Sequence, residues 1–197
     1  MKTIRFFSLL FLAALTTVAA YAQAENPDAI RIDRNHSTLG FAVPVAGGIS
    51  KVTGKFSEFT VDLVWNDEDP SQSSVSVEIQ VASIKTGYDG RDNDVTGEGI
   101  LDAANYPTIT FVSNDIRPNG TGFIAVGDFT MHGVTKEIYL PVEVVTIPDE
   151  EDPDDPWRAW HVNYELDRSE YGITWKHSSV DFFFGFDIDV DIMLLER

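Results

Sequence analysis

Four histidines, at positions 36, 132, 161 and 177, are the residues of this sequence best suited to acid–base or metal chemistry. His36 stands in Asp33-Arg34-Asn35-His36-Ser37, from which a Ser-His-Asp triad can be drawn. Neighbours along an extended chain point to opposite faces, so Ser37 and His36 cannot converge on one reacting atom, and the triad is discounted. His132 lies in Met131-His132-Gly133-Val134-Thr135, between two alternating runs, where a histidine beside a glycine suits a turn. No partner is placed near it by sequence, so it reads as a corner. His161 is out of phase with its apolar neighbours and is expected at the surface, and His177 sits in a polar turn. No catalytic residue is assigned.

Metal chemistry fares no better. The histidines show no short ligand spacing, and with no cysteine in the chain there are no thiolate sites. The acidic runs "PDEEDPDDP" and "DGRDND" offer hard oxygen ligands suited to calcium. A twelve-residue loop begun at Asp92, however, puts Ala103 where the bidentate glutamate belongs. A proline-broken acidic run is the ordinary composition of a solvated loop, so the expectation is no metal site and no cofactor.

The elements that would position any site repeat with a period of two, the mark of strands with one buried face. Leu39, Phe41 and Val43 alternate, as do Val75, Val77, Ile79 and Val81, then Ile138, Leu140, Val142 and Val144, then Trp160, Val162, Tyr164 and Leu166. In "DFFFGFDIDVDIML", Phe182, Phe184, Phe186, Ile188, Val190 and Ile192 take one face while Asp181, Asp187, Asp189 and Asp191 take the other. Further strands are expected over 52–65, 108–117 and 123–131, and "DGRDNDVTGEGILDAANYP" is the one long irregular connection, with room for a short helix. About eight antiparallel strands make an all-β barrel or sandwich, which the period alone does not separate.

Composition bounds the class. Fourteen Lys and Arg oppose 32 Asp and Glu, a net charge of -18, which repels nucleic acid and anionic membranes. Residues 1–22 read as a signal peptide: Lys2 and Arg5, an apolar run too short to span a bilayer, then Ala20-Tyr21-Ala22 before the cut. Residues 23–197 are then one exported domain, periplasmic or secreted, whose stability rests on burial without disulfides.

Six segments, "IDRNHSTLGFAV", "VTGKFSEFTVDL", "SSVSVEIQVASIKTG", "RDNDVTGEGILDAANYPTITF", "GDFTMHGVTKEIYLPVEV" and "LDRSEYGITW", follow one another as in YceI-like proteins, the lipid- or polyisoprenoid-binding family. This resemblance implies an extended, lipocalin-like antiparallel β-barrel that holds a long isoprenoid or similar amphiphile and is not an enzyme. The ligand-lining residues assigned on that basis are Phe41, Phe56, Ile79, Phe111, Phe129, Leu140, Trp160, Tyr164 and Phe184, with Lys51, Arg91, Tyr171 and Trp175 at the mouth. The partner expected is an apolar lipid, with no nucleic acid and no stable membrane insertion; a homodimer is left open. Where the family commonly carries a Lys-His pair this chain has Pro44 and Val45, and Arg-Asp-x-His-Leu becomes Arg91-Asp92-Asn93-Asp94-Val95. With fewer cations and a strongly negative field, a neutral head such as a quinone is expected over a diphosphate. The alternative reading is a filled β-sandwich serving as a structural or interaction module.

Overall fold

The computed structural model describes residues 29–150, 156–176 and 184–196, so the expected signal peptide, His177 and Phe182 lie outside the described residues. Ten strands form a single antiparallel sheet: β1 (Thr38–Val45), β2 (Ser50–Phe56), β3 (Phe59–Val64), β4 (Ser74–Gln80), β5 (Ile84–Lys85), β6 (Thr108–Asn119), β7 (Gly122–Met131), β8 (Val134–Ile147), β9 (Trp157–Asp167) and β10 (Asp187–Leu195). A helix, α1 (Asp89–Thr96), lies in the long connection between β5 and β6. The sheet order is β3-β4-β6-β7-β8-β9-β10-β1-β2-β5.

That order curls into a barrel because one stretch of chain serves both of its ends. β4 pairs with β3 and β6, and only a single 3₁₀ turn, Val81–Ser83, separates it from β5, which pairs with β2. Ser57 N–H donates to the Ser83 carbonyl at 3.2 Å and Gln80 N–H to the Glu58 carbonyl at 2.9 Å, fastening the β2–β3 corner to the same turn. The count exceeds the expected eight because the run over 52–65 breaks at Ser57-Glu58 into β2 and β3, and because β5 is only two residues long. Strand β10 starts at Asp187, later than the phenylalanine run implied; Phe184 makes only an isolated bridge to Val45.

His132 and Gly133 form the two-residue β7–β8 turn with φ of 51° and 76°, as the tight hairpin turn that matches strand twist requires. The β6–β7 pairing slips between Ser113 and Asp115, a bulge that brings the Val112 carbonyl so near Gly127 that a side chain there would collide with it. Inside the barrel, Phe111, Ile116, Ala125, Ile138, Leu140 and Val162 pack one end solid. Trp65 extends that packing, with ring centroids 4.7 Å from Phe123 and 4.8 Å from Trp160, both edge-on.

Candidate functional site: a cavity at one end of the barrel

The other end of the barrel is hollow. A cavity of about 550 Å³ lies among the inward residues of β1, β2, β7 and β10, capped by α1 and by the chain that follows β9. The volume falls within the roughly 300–1,000 Å³ of small-molecule sites. Its wall is overwhelmingly apolar: Leu39, Phe41 and Val43 from β1, Val52 and Phe56 from β2, and Ile188, Val190 and Ile192 from β10 repeat the period of two read in the sequence.

Five of the residues assigned to the ligand, Phe41, Phe56, Ile79, Phe129 and Phe184, are brought together on this wall, and Arg91 and Trp175 join them. The Trp175 ring lies 5.4 Å from that of Phe184, and at 38 % exposure it is where the wall meets solvent. The others are elsewhere. Phe111 and Leu140 are in the packed end, Trp160 is 4 % exposed against Trp65, and Tyr164 packs beside them. Lys51 is on the outer face of β2, ion-paired with Asp189. Tyr171 is 1 % exposed, its ring 5.4 Å from Phe129 and edge-on, and burial pushes its hydroxyl up to about 12. It is a core residue beneath the cavity, away from any mouth.

A side chain at Gly54 would run into the Phe41 ring, so Gly54 seats that ring against β2, and Gly127 belongs to the bulge. Helix α1, which closes one side, is weakly amphipathic and is held by hydrogen bonds. Asp92 Oδ1 accepts the Thr86 N–H at 2.8 Å and the Thr86 hydroxyl at 2.6 Å, and these bonds depress its pKa despite burial.

The histidines hold structure. His132 Nδ1 donates to the Tyr171 carbonyl at 3.2 Å, with its ring 4.5 Å from Tyr106. His36 Nδ1 donates to Asp33 at 2.8 Å, while the Ser37 hydroxyl donates to the Asp33 carbonyl at 2.7 Å and accepts the Leu195 N–H at 3.0 Å. Ser37 is thus spent on backbone and makes no bond to His36. His161 bonds Asp191 at 2.9 Å on the outer face. Among the described residues, no group of three or more His, Asp or Glu side chains is placed to hold a metal ion, and no helix is long and apolar enough to cross a membrane.

Sequence reasoning missed Arg168, within the "LDRSEYGITW" segment. It lines the cavity and is 6 % exposed. A 3₁₀ turn over Arg168–Tyr171, ended by Gly172 at φ 77°, bends the chain back so that Nε reaches the Gly185 carbonyl at 3.0 Å, and Nη1 and Nη2 reach the Ile173 and Trp175 carbonyls at 2.8 and 2.9 Å. Its sequence signal was a basic residue two places after Leu166, the last apolar position of β9.

A small antiparallel β-barrel, packed at one end and hollowed into an apolar cavity at the other, defines a lipocalin-like binding architecture. Residues 31–194 match the YceI-like domain model, and the chain belongs to the YceI-like family. A UPF0312 protein of Photorhabdus laumondii is 28 % identical over 152 residues, covering 77 % of this chain and 76 % of its own. A UPF0312 protein of Yersinia pestis is 29 % identical over 158 residues, covering 79 % and 78 %. Among solved structures, Burkholderia cenocepacia BcnA superposes with a TM-score of 0.74 at 20 % identity, over 85 % of this chain and 100 % of that one. A polyisoprenoid binding domain from Saccharophagus degradans does so with a TM-score of 0.62 at 15 % identity, over 86 % and 98 %. These two likenesses establish the fold.

Proposed function

We propose that this chain is an exported binding protein that sequesters or carries a long apolar amphiphile of isoprenoid type in its barrel. The observation that carries the reading is the hollow: a cavity of about 550 Å³ with an almost wholly apolar wall, in a barrel whose other end is solid. A hydrocarbon chain against such an apolar wall gains packing contacts and leaves water. At about 0.8 kcal/mol per methylene removed from water, a few isoprene units suffice for tight binding before ordering costs are subtracted. Apolar burial has no direction, so chain selectivity is loose. At roughly 30 Å³ per methylene-sized unit, taken from the share of one liquid water, the cavity holds on the order of 15 to 20 heavy atoms. A longer chain protrudes.

Membership of the YceI-like family, and the polyisoprenoid binding domain among the structural neighbours, support the ligand class. The leader-like composition of residues 1–22, with Lys2 and Arg5 ahead of an apolar run and Ala20-Tyr21-Ala22, supports export. The test is lipid extraction and native mass spectrometry of the protein purified from its own host, with N-terminal sequencing of the mature chain. A co-purified prenyl lipid and a start at Gln23 are expected. A lipid-free protein that takes up no added prenol would return the domain to the interaction-module reading.

A further inference from the structure

Among the described residues, the large apolar side chains most open to water are Ile49, 91 % exposed, and Tyr88, 64 % exposed, and both stand at the open end of the cavity. Ile49 follows Gly47 and Gly48, at φ 68° and 87°, on the tip of the β1–β2 hairpin, whose strands give Val43 and Val52 to the cavity wall. Tyr88 lies between Thr86 and Arg91, both on that wall, where α1 begins. Trp175 is on the wall itself and half open to solvent. The Gly185 N–H donates to the Pro44 carbonyl at 2.9 Å, and Phe184, whose ring meets that of Trp175, bridges Val45. The hairpin and Trp175 therefore border one opening.

Apolar residues scattered singly over a surface are ordinary; three from separate loops around the opening of an apolar cavity form a patch. Ile49 buries almost nothing and so contributes almost nothing to folding. An aliphatic tip beside a Tyr and a Trp is the set of side chains that settles at the polar–apolar boundary of a bilayer. The cavity, about 550 Å³, is too small to enclose a long prenyl chain, and carrying the remainder through water is the costly part of any exchange. Contact between rim and bilayer removes that step. Charge then selects the bilayer. The hairpin tip over 46–49 carries no charge, whereas the packed-end connections 66–72 and 148–156 carry three and six acidic residues in a chain of net charge -18. An anionic surface repels such a chain, so the surface that fits is zwitterionic and is held by apolar contact.

We infer that the rim made by Ile49, Tyr88 and Trp175 is a docking face for a zwitterionic lipid bilayer, at which the cavity is loaded and emptied, a role that rests on the proposed lipid-binding reading.

The test titrates phosphatidylcholine vesicles, with brominated acyl chains as quencher, into the mature protein while its tryptophan fluorescence is followed, and measures farnesol binding separately without vesicles. Trp65 and Trp160 are packed together in the solid end and Trp157 stands at that same end, so Trp175 alone reports from the rim. Quenching is expected, and Trp175→Phe should remove it. The double variant Ile49→Ser, Tyr88→Ser, at two exposed positions outside the cavity wall, should bind vesicles about tenfold or more weakly and bind farnesol as before. Replacing a third of the lipid with phosphatidylglycerol should weaken docking at low salt; tighter docking there would overturn the zwitterionic assignment. Farnesol bound with no quenching at millimolar lipid would overturn the docking face and leave the carrier standing. Quenching by way of Trp175 without farnesol uptake would keep the face and remove the carrier. Quenching that survives Trp175→Phe, or vesicle binding unmoved in the double variant, would overturn the rim. So would a dimer, seen by light scattering, that the double variant dissociates while vesicles quench neither form, since the rim would then be covered by a second copy.

Discussion

Thr86 gives both its backbone N–H and its hydroxyl to one carboxylate oxygen of Asp92, at 2.8 and 2.6 Å, and this double bond of donors is what fastens α1 over the cavity. Lys85 Nζ stands 3.8 Å from the other oxygen and adds a weaker attraction.

Acid should release that clasp. The Asp92 pKa is lowered, chiefly by the Thr86 hydroxyl, and that of Asp167 chiefly by the Ser169 hydroxyl. A folded-state pKa below the unfolded value means stability that is present above the ordinary value of 3.8 and is lost as pH falls through the depressed one. Urea midpoints should hold steady from pH 7 to about 5 and drop as pH moves below the ordinary carboxylate range of about 4. In Asp92→Asn the drop should be smaller, since one of the depressed carboxylates is gone.

The hollow and the solid ends should respond differently to mutation. Phe184→Asp places a charge on the cavity wall and should abolish co-purified lipid while the protein still folds cooperatively. Phe111→Ala, in the packed end, should cost about 3–5 kcal/mol of stability and leave lipid affinity per folded molecule unchanged. A full lipid complement in Phe184→Asp would remove that wall from the binding site; denaturant titration and lipid extraction of both variants decide it.

His132→Asn keeps a residue that tolerates positive φ at a position with φ 51° and removes the ring that bonds the Tyr171 carbonyl. A loss of roughly 1 kcal/mol in thermal or urea unfolding is expected, with ligand affinity unmoved. Lost affinity at unaltered stability would mean that the turn histidine contacts ligand.

Gly54→Ala sets a methyl group against the Phe41 ring, which is packed over the bare backbone of β2. Moving the ring off its seat pushes it into the cavity. The expected cost is about 1–3 kcal/mol of stability together with weaker binding of long prenols, read by titration with chains of increasing length.

Much of the fold was legible because strand period is a local property. Alternation from Leu39 to Val43 and from Ile188 to Ile192 marked inward faces that the structure does turn inward, with Asp189 and Asp191 outside, bonded to Lys51 and His161. The His132 turn was legible for the same reason, since two residues between paired strands define it.

What the period could not supply was position along the barrel axis. Phe41 and Phe111 both occupy inward positions of their strands, yet one borders the hollow and the other fills the solid end. Register decides between them, and register is set by pairings between distant strands, by the bulge at Ser113 and by the turn that carries β4 into β5. Arg168 shows the limit most sharply. Its residue type promises solvent, and only the carbonyls of Ile173, Trp175 and Gly185, gathered by a 3₁₀ turn and a distant strand entry, make burial of the guanidinium tolerable. The sequence by itself determined which residues face the barrel's interior, because that depends on two-residue alternation; the tertiary structure decided which of them surround empty space and which charge joins them, because that depends on groups far apart in the chain meeting at one depth.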